Sequence, residues 1–134
     1  HEGQFMEFTI TSMEQVMNIS EKVIAFCTGR GISLRRSNIA GLAVEEMAGN
    51  VVAHGFRGHK NNYVDLRVVH KDVLTIRIRD NCPEFDPKKR LEQFTNEDPA
   101  ANIGIKMIAR LSDEIIYTNT AGINTVMIKL RDSA

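Results

Sequence analysis

The chain has 134 residues, 43% hydrophobic and 25% charged, long enough to bury about two thirds of its unfolded surface, and one domain over residues 1–134 is expected. Its 17 basic and 17 acidic residues cancel, which excludes a global field drawing it to nucleic acid or to an anionic membrane. Cys27 and Cys82 make neither a zinc spacing nor a disulfide framework and suit a reducing cytoplasm, and no apolar run approaches the ~18 residues of a membrane span. The chain opens on His1 rather than Met, which leaves open a domain cut from a longer protein or a tag remnant.

Phe5 to Ile10 alternates as a strand does, and an edge strand of that pattern invites pairing or covering. Ser12 with Gln15 forms a capping-box pattern for a helix to about Thr28, closed by Gly29 and Gly31, with Met13, Val16, Met17, Val23, Ile24 and Phe26 as its apolar face. A second helix, in one piece or two, is expected from Ser33 to His54 and Gly55. Two β-rich runs follow, Tyr63 to Val69 and Val73 to Arg79, joined at His70, Lys71 and Asp72.

Residues 81 to 101 hold all three prolines and the cluster Lys88, Lys89 and Arg90, and an irregular stretch of that length is usually functional or mobile. A third helix, Asn102 to Leu111, leads to strands Glu114 to Asn119 and Asn124 to Leu130 about a turn at Ala121 and Gly122. Helices on one face of a mostly antiparallel sheet bury these elements most simply, giving a two-layer α/β sandwich.

Within the second helix, "AVEEMAGNVVAHGF" sets Glu46, Asn50 and His54 one turn apart, within roughly 80° of one another at about 100° per residue. A solvated helix face carries the same triplet, so its meaning depends on the rest of the chain. In "IRIRDNCPEFDP" Asp80 falls where an apolar strand ends and a loop begins, a position that serves either turn formation or binding. In "NIGIKMIARL" Asn102 and Gly104 open a helix, where free backbone amides and the helix dipole receive phosphate. Gly104 would equally serve close packing.

Taken in order, the N-box "EEMAGNVVAHGF", the G1-like "RDNCPEFDP", the G2-like "NIGIKMIARLSDEIIY" and the terminal hairpin "GINTVMIKL" resemble a GHKL ATPase domain over about residues 5 to 131. Within that superfamily the chain is most similar to the anti-sigma-factor serine kinases. The resemblance implies the two-layer α/β sandwich of that type, with residues 81 to 101 as an ATP lid, and ATP with Mg²⁺ as cofactors. It implies that Asn50 ligates Mg²⁺, that Asp80 accepts a hydrogen bond from the adenine amino group and that Glu46 is the general base. Gly104 would admit the phosphates, Asn102 stands at the first glycine of G2, and Thr125 would back up Asp80 beneath the base.

Those roles suit the residue types. Mg²⁺ takes oxygen ligands and keeps several waters, so one amide oxygen plus phosphates anchors it. A Glu one turn away reaches a hydroxyl or water aligned with the γ-phosphate. The family pattern has glycine where this chain has Cys82 and often where it has Glu84, as well as at Asn102.

By resemblance the partners are an anti-sigma-factor antagonist and a sigma factor, with a homodimer presenting the sigma-binding surface. Neither nucleic acid nor membrane contact is expected of this chain. Three readings stand: a protein serine kinase that phosphorylates the antagonist, an ATP-dependent binding switch without phosphotransfer, and the catalytic domain of a larger sensor kinase.

Overall fold

The computed structural model describes residues 5–56, 61–84 and 103–131. Five strands, β1 (Phe5–Ile10), β2 (Val64–His70), β3 (Leu74–Asp80), β4 (Glu114–Thr120) and β5 (Ile123–Leu130), form one sheet in the order β1-β2-β3-β5-β4, antiparallel throughout. Among the described residues three helices, α1 (Met13–Gly29), α2 (Leu34–Ala43) and α3 (Ile103–Leu111), accompany it, and α2 continues as two π-helical turns, Val44–Ala48 and Val51–Gly55. The expected two-layer α/β sandwich of the GHKL type is therefore the architecture found.

Alternation decides which face of the sheet the helices cover. Val64, Leu66 and Val68 on β2, Leu74, Ile76 and Ile78 on β3, and Val126, Ile128 and Leu130 on β5 are buried together with Val16, Val23, Val44, Met47, Ile105 and Ile108 from the helical layer. The alternate residues Arg67, Arg77, Thr125 and Met127 are only part-buried, on the opposite face. A one-residue slip would exchange the two sets, so the apolar pattern fixes the register. The β2 and β3 boundaries each lie one residue later than expected, which leaves every side chain on its expected face.

Helix α1 departs from the expected capping and apolar face. The Ser12 side chain makes no cap bond; Gln15 Oε1 accepts from the Thr11 backbone N–H at 2.7 Å and from Thr11 Oγ1 at 3.3 Å, so only the returning half of the box exists, one residue earlier. Its buried residues are Val16, Ile19, Ser20, Val23 and Cys27, whereas Met13 and Met17 are 45% and 53% exposed. Ser20 is buried because its hydroxyl donates to the Gly41 carbonyl at 2.9 Å. The helix is closed at Gly31, whose φ of +82° is costly for any residue with a Cβ. Ser33 caps α2 as expected, accepting from the Arg36 N–H at 3.2 Å.

At the other end of the sheet, Ala121 and Gly122 both have positive φ, 53° and 79°. That fits a primed two-residue hairpin turn, which sets Asn119 opposite Asn124 and Thr118 opposite Thr125.

Candidate functional site

The end of β3, the last π-helical turn and the start of the following loop enclose a cleft lined by Asn50, Val51, His54, Gly55, Asp80, Cys82, Pro83 and Glu84. Its cavity volume among the described residues is about 190 Å³, smaller than the ~300–1,000 Å³ of small-molecule sites. Asn50 and Asp80, 30 positions apart in sequence, thus share one wall-to-floor arrangement. Asp80 is the floor. It is the last residue of β3 and follows Ile76 and Ile78 onto the buried face, leaving it 4% exposed.

A carboxylate that deeply placed needs donors. Asp80 Oδ1 accepts from the Cys82 backbone N–H and from Asn124 Nδ2, each at 2.9 Å. Asn124 is 1% exposed and lies directly across the β3–β5 ladder from Asp80. Its Nδ2 also donates to the Cys82 and Pro83 carbonyls, both at 3.0 Å, and its Oδ1 accepts from Tyr117 Oη at 2.7 Å and Asn119 Nδ2 at 2.9 Å. One amide therefore ties the carboxylate, the root of the loop and strand β4 together. Among the described residues nothing donates to Asp80 Oδ2. Asn81 braces the same root from the other side, accepting from the Tyr63 N–H at 3.1 Å and donating to the Asn61 carbonyl at 3.0 Å.

Thr125 takes no part in this network. It pairs with Arg79 and Thr118 on the sheet face away from the helices, so the residue behind Asp80 is Asn124 and the sequence expectation is corrected by one position. The signal was present: Asn124 is in phase with Val126, Ile128 and Leu130, and Thr125 with Met127 and Lys129. Asn102 and residues 85 to 101, with Lys88, Lys89 and Arg90, lie outside the described residues.

The second helix was expected to run to His54 and Gly55, and Gly55 ends the last π-helical turn. The φ of Gly55 is not positive, and the reason for glycine is proximity: a Cβ there would meet Cys82 Cβ and Sγ at 2.9 Å. Cys82 consequently fills the join between the π-helical turn and the loop. Burial first, with the neighbouring Asp80 charge and hydrogen bond adding to it, pushes its thiol up to about 12.

The Glu46–Asn50–His54 stripe divides. Asn50 and His54 reach the cleft, while the Glu46 side chain meets Gly104 at the opening of α3. Burial raises the Glu46 carboxyl above its ordinary range, and the Glu45 charge raises it further. The donors suit a hard cation only sparsely. Among the described residues no three His, Cys, Asp or Glu side chains converge, so Mg²⁺ here would take Asn50 oxygen, with phosphate and water oxygens completing its set.

A two-layer sandwich with a buried acidic floor beneath a cleft, an amide-bearing helical wall and a glycine-opened helix defines a nucleotide-binding domain of the GHKL class. Residues 10–130 match the sequence profile of the family described as histidine kinase-like ATPase domain, and the chain belongs to that family. Domains of this family bind ATP, generally with Mg²⁺.

The chain is similar to the serine-protein kinase RsbW of Listeria monocytogenes serovar 1/2a, at 26% identity over 97 residues, covering 66% of this chain and 62% of that protein. It is similar in fold to the histidine kinase domain of the blue-light activated histidine kinase from Erythrobacter litoralis EL346. That match has a TM-score of 0.59 and 18% identity, over 90% of this chain and 61% of that one. The chain thus spans about three fifths of the length of each. Among the described residues no helix is long and apolar enough to cross a membrane.

Proposed function

We propose that the chain is an ATP-dependent protein serine kinase of the anti-sigma-factor type, which phosphorylates an anti-sigma-factor antagonist and holds a sigma factor when the antagonist is absent or phosphorylated. The observation that carries the reading is Asp80. One of its oxygens is saturated by Cys82 and Asn124, and the other is left for a donor in the cleft, the demand that the amino group of adenine meets. The similarity to a serine-protein kinase supports protein serine as the acceptor.

In this reading Asn50 holds Mg²⁺, which neutralises charge on the phosphates. Glu46 receives the proton of the attacking serine hydroxyl as its oxygen bonds to the γ-phosphorus and the bond to the β-phosphate oxygen breaks, releasing ADP. A carboxyl raised toward neutrality by burial is better matched to that transfer than a solvated one. Residues 81–101 act as the lid. The chain functions as one domain and as a homodimer, and its two free buried thiols suit the cytoplasm.

The experiment is a titration of ATP with and without Mg²⁺ by calorimetry, followed by transfer of labelled γ-phosphate to a candidate antagonist. Glu46→Gln should keep Mg-ATP affinity within a few fold while lowering transfer roughly 10²-fold or more. Absence of adenine nucleotide binding would retire the reading entirely. A second reading, an ATP-dependent binding switch without phosphotransfer, is favoured by Cys82, whose side chain fills space beside the cleft where the family pattern has glycine. Binding by wild type and variant with turnover in neither would select it. Light scattering that finds only monomer at high concentration removes the dimer.

A further inference from the structure

We propose that Gly104 is a positioning residue for Glu46: the absence of a side chain at 104 creates the space at the opening turn of α3 in which the Glu46 carboxylate is seated. A Cβ built at Gly104 would lie 1.9 Å from Glu46 Cδ and 2.2 Å from each of Oε1 and Oε2. All three atoms of the head group thus surround the one missing methyl. No other described glycine is so occupied. The nearest atom to a Cβ is 2.6 Å away at Gly41 and 2.9 Å at Gly55, and Gly29 has nothing within 4 Å.

The direction of that space matters. In a helix the Cα–Cβ bond leans toward the N-terminus, so the volume that Glu46 fills lies on the side of α3 where backbone N–H groups are unpaired and the dipole is positive. Among the described residues no group donates a hydrogen bond to the carboxylate. Shape and field hold it there, without a partner to be broken when it takes a proton. The seat is made from two distant segments, the π-helical turn Val44–Ala48 and the start of α3, and each is needed for it.

This inference rests on the reading of Glu46 as proton acceptor and differs from a role for Gly104 in admitting phosphate. If Gly104 serves phosphate, a methyl there weakens nucleotide binding; if it serves Glu46, the methyl turns away the flexible end of the Glu46 side chain and weakens the chemical step. Calorimetry with Mg-ATP and the rate of γ-phosphate transfer or release at saturation are measured for wild type, Gly104→Ala, Glu46→Gln and the double variant.

The expected result is affinity within about threefold of wild type for Gly104→Ala, a rate lowered roughly tenfold or more, and no further loss in the Glu46→Gln background. Lost affinity with an unchanged saturated rate, or losses that multiply in the double variant, overturns the proposal. The crystal structure of Gly104→Ala supplies a readout independent of activity. A carboxylate displaced from α3 supports the seat, and one that stays in place overturns it. A wild type that binds Mg-ATP without turnover fails the kinase reading and with it the catalytic purpose of the seat, while the crystal structure still decides whether the seat exists.

Discussion

The two ends of the cleft are built on opposite plans. At the Asp80 end the polar groups are buried and tied to one another through Asn124, Tyr117, Asn119 and the loop backbone before any ligand arrives. At the other end Asn50 lines the cleft while Glu46 sits against Gly104; both side chains are half-buried, and among the described residues neither head group has a hydrogen-bond partner. Under the proposed function Asp80 selects the base and Asn50 and Glu46 meet the metal and the reacting hydroxyl; a group that selects one base must be fixed in advance, because its discrimination comes from the cost of leaving a desolvated oxygen unpaired. Groups that meet a metal and a reacting hydroxyl must keep their lone pairs for what binds.

The largest expected effect lies at the thiol of the closed end. Thiol reagents attack the thiolate, and a thiol whose value rises from 9.0 to about 12 has less thiolate at every pH below that value. At pH 8 the native Cys82 should therefore react about 10³-fold more slowly than in unfolded chain. Cys27, pushed up to about 11 by burial, should be protected as well. The same shifts make stability fall as pH rises from 9.0 toward 11, because the unfolded thiols ionise there and the native ones do not. Rapid native labelling of Cys82 would mean that this end is open.

Asn124→Leu should come next in size. It strips donors or acceptors from Asp80, Cys82, Pro83, Tyr117 and Asn119 at once, and about 3 kcal/mol of stability should be lost in urea unfolding. A loss below about 1 kcal/mol would show that the network does not hold the floor.

Asp80→Asn can keep an oxygen toward Cys82 and Asn124, but it turns an NH₂ toward the ligand amino group. Adenine nucleotide affinity should fall by about 1–3 kcal/mol, with or without Mg²⁺. At the open end the effect should be smaller and of a different kind. Asn50→Ala should remove the Mg²⁺ dependence of binding, a loss of about five- to tenfold seen only when the metal is present. Equal losses with and without metal would assign Asn50 to the closed end instead.

The sandwich was legible in the sequence because periodicity carries it. Alternation in Val64–Val68, Leu74–Ile78 and Val126–Leu130 identifies the buried face, and Gly31, Ser33 and the Ala121–Gly122 turn punctuate the elements. The pairing of Asn50 with Asp80 was legible only through the order of motifs, since no local pattern says that a helix wall and a strand end 30 residues apart will meet. Other features were hidden by their physics. The meeting of Glu46 with Gly104 joins positions far apart in the sequence, and no local pattern announces it. Met13 and Met17 fitted a helical stripe, yet Ser20 took the buried place once Gly41 offered its carbonyl. The Asn124 hub was one phase count away, and a count from the hairpin turn would have found it in place of Thr125.

That phase count supports the smallest prediction, a change at Thr125. Thr125 shares its row with Arg79 on β3 and Thr118 on β4, on the face that the helices leave uncovered, and it is half-buried with no hydrogen bond to the cleft. Thr125→Val keeps the β-branched shape that suits a strand and removes one hydroxyl from a position water can reach. Stability should change by less than about 0.5 kcal/mol, and adenine nucleotide affinity should stay within about twofold. A neighbour on the same strand, one residue away, is expected to cost several times more, because the pleat turns Asn124 into the core and Thr125 out of it. If Thr125→Val instead weakens binding as strongly as Asp80→Asn does, strand β5 sits one residue out of register. The floor would then rest on Thr125, and the contrast between a closed and an open end of the cleft would have to be drawn again from that pairing.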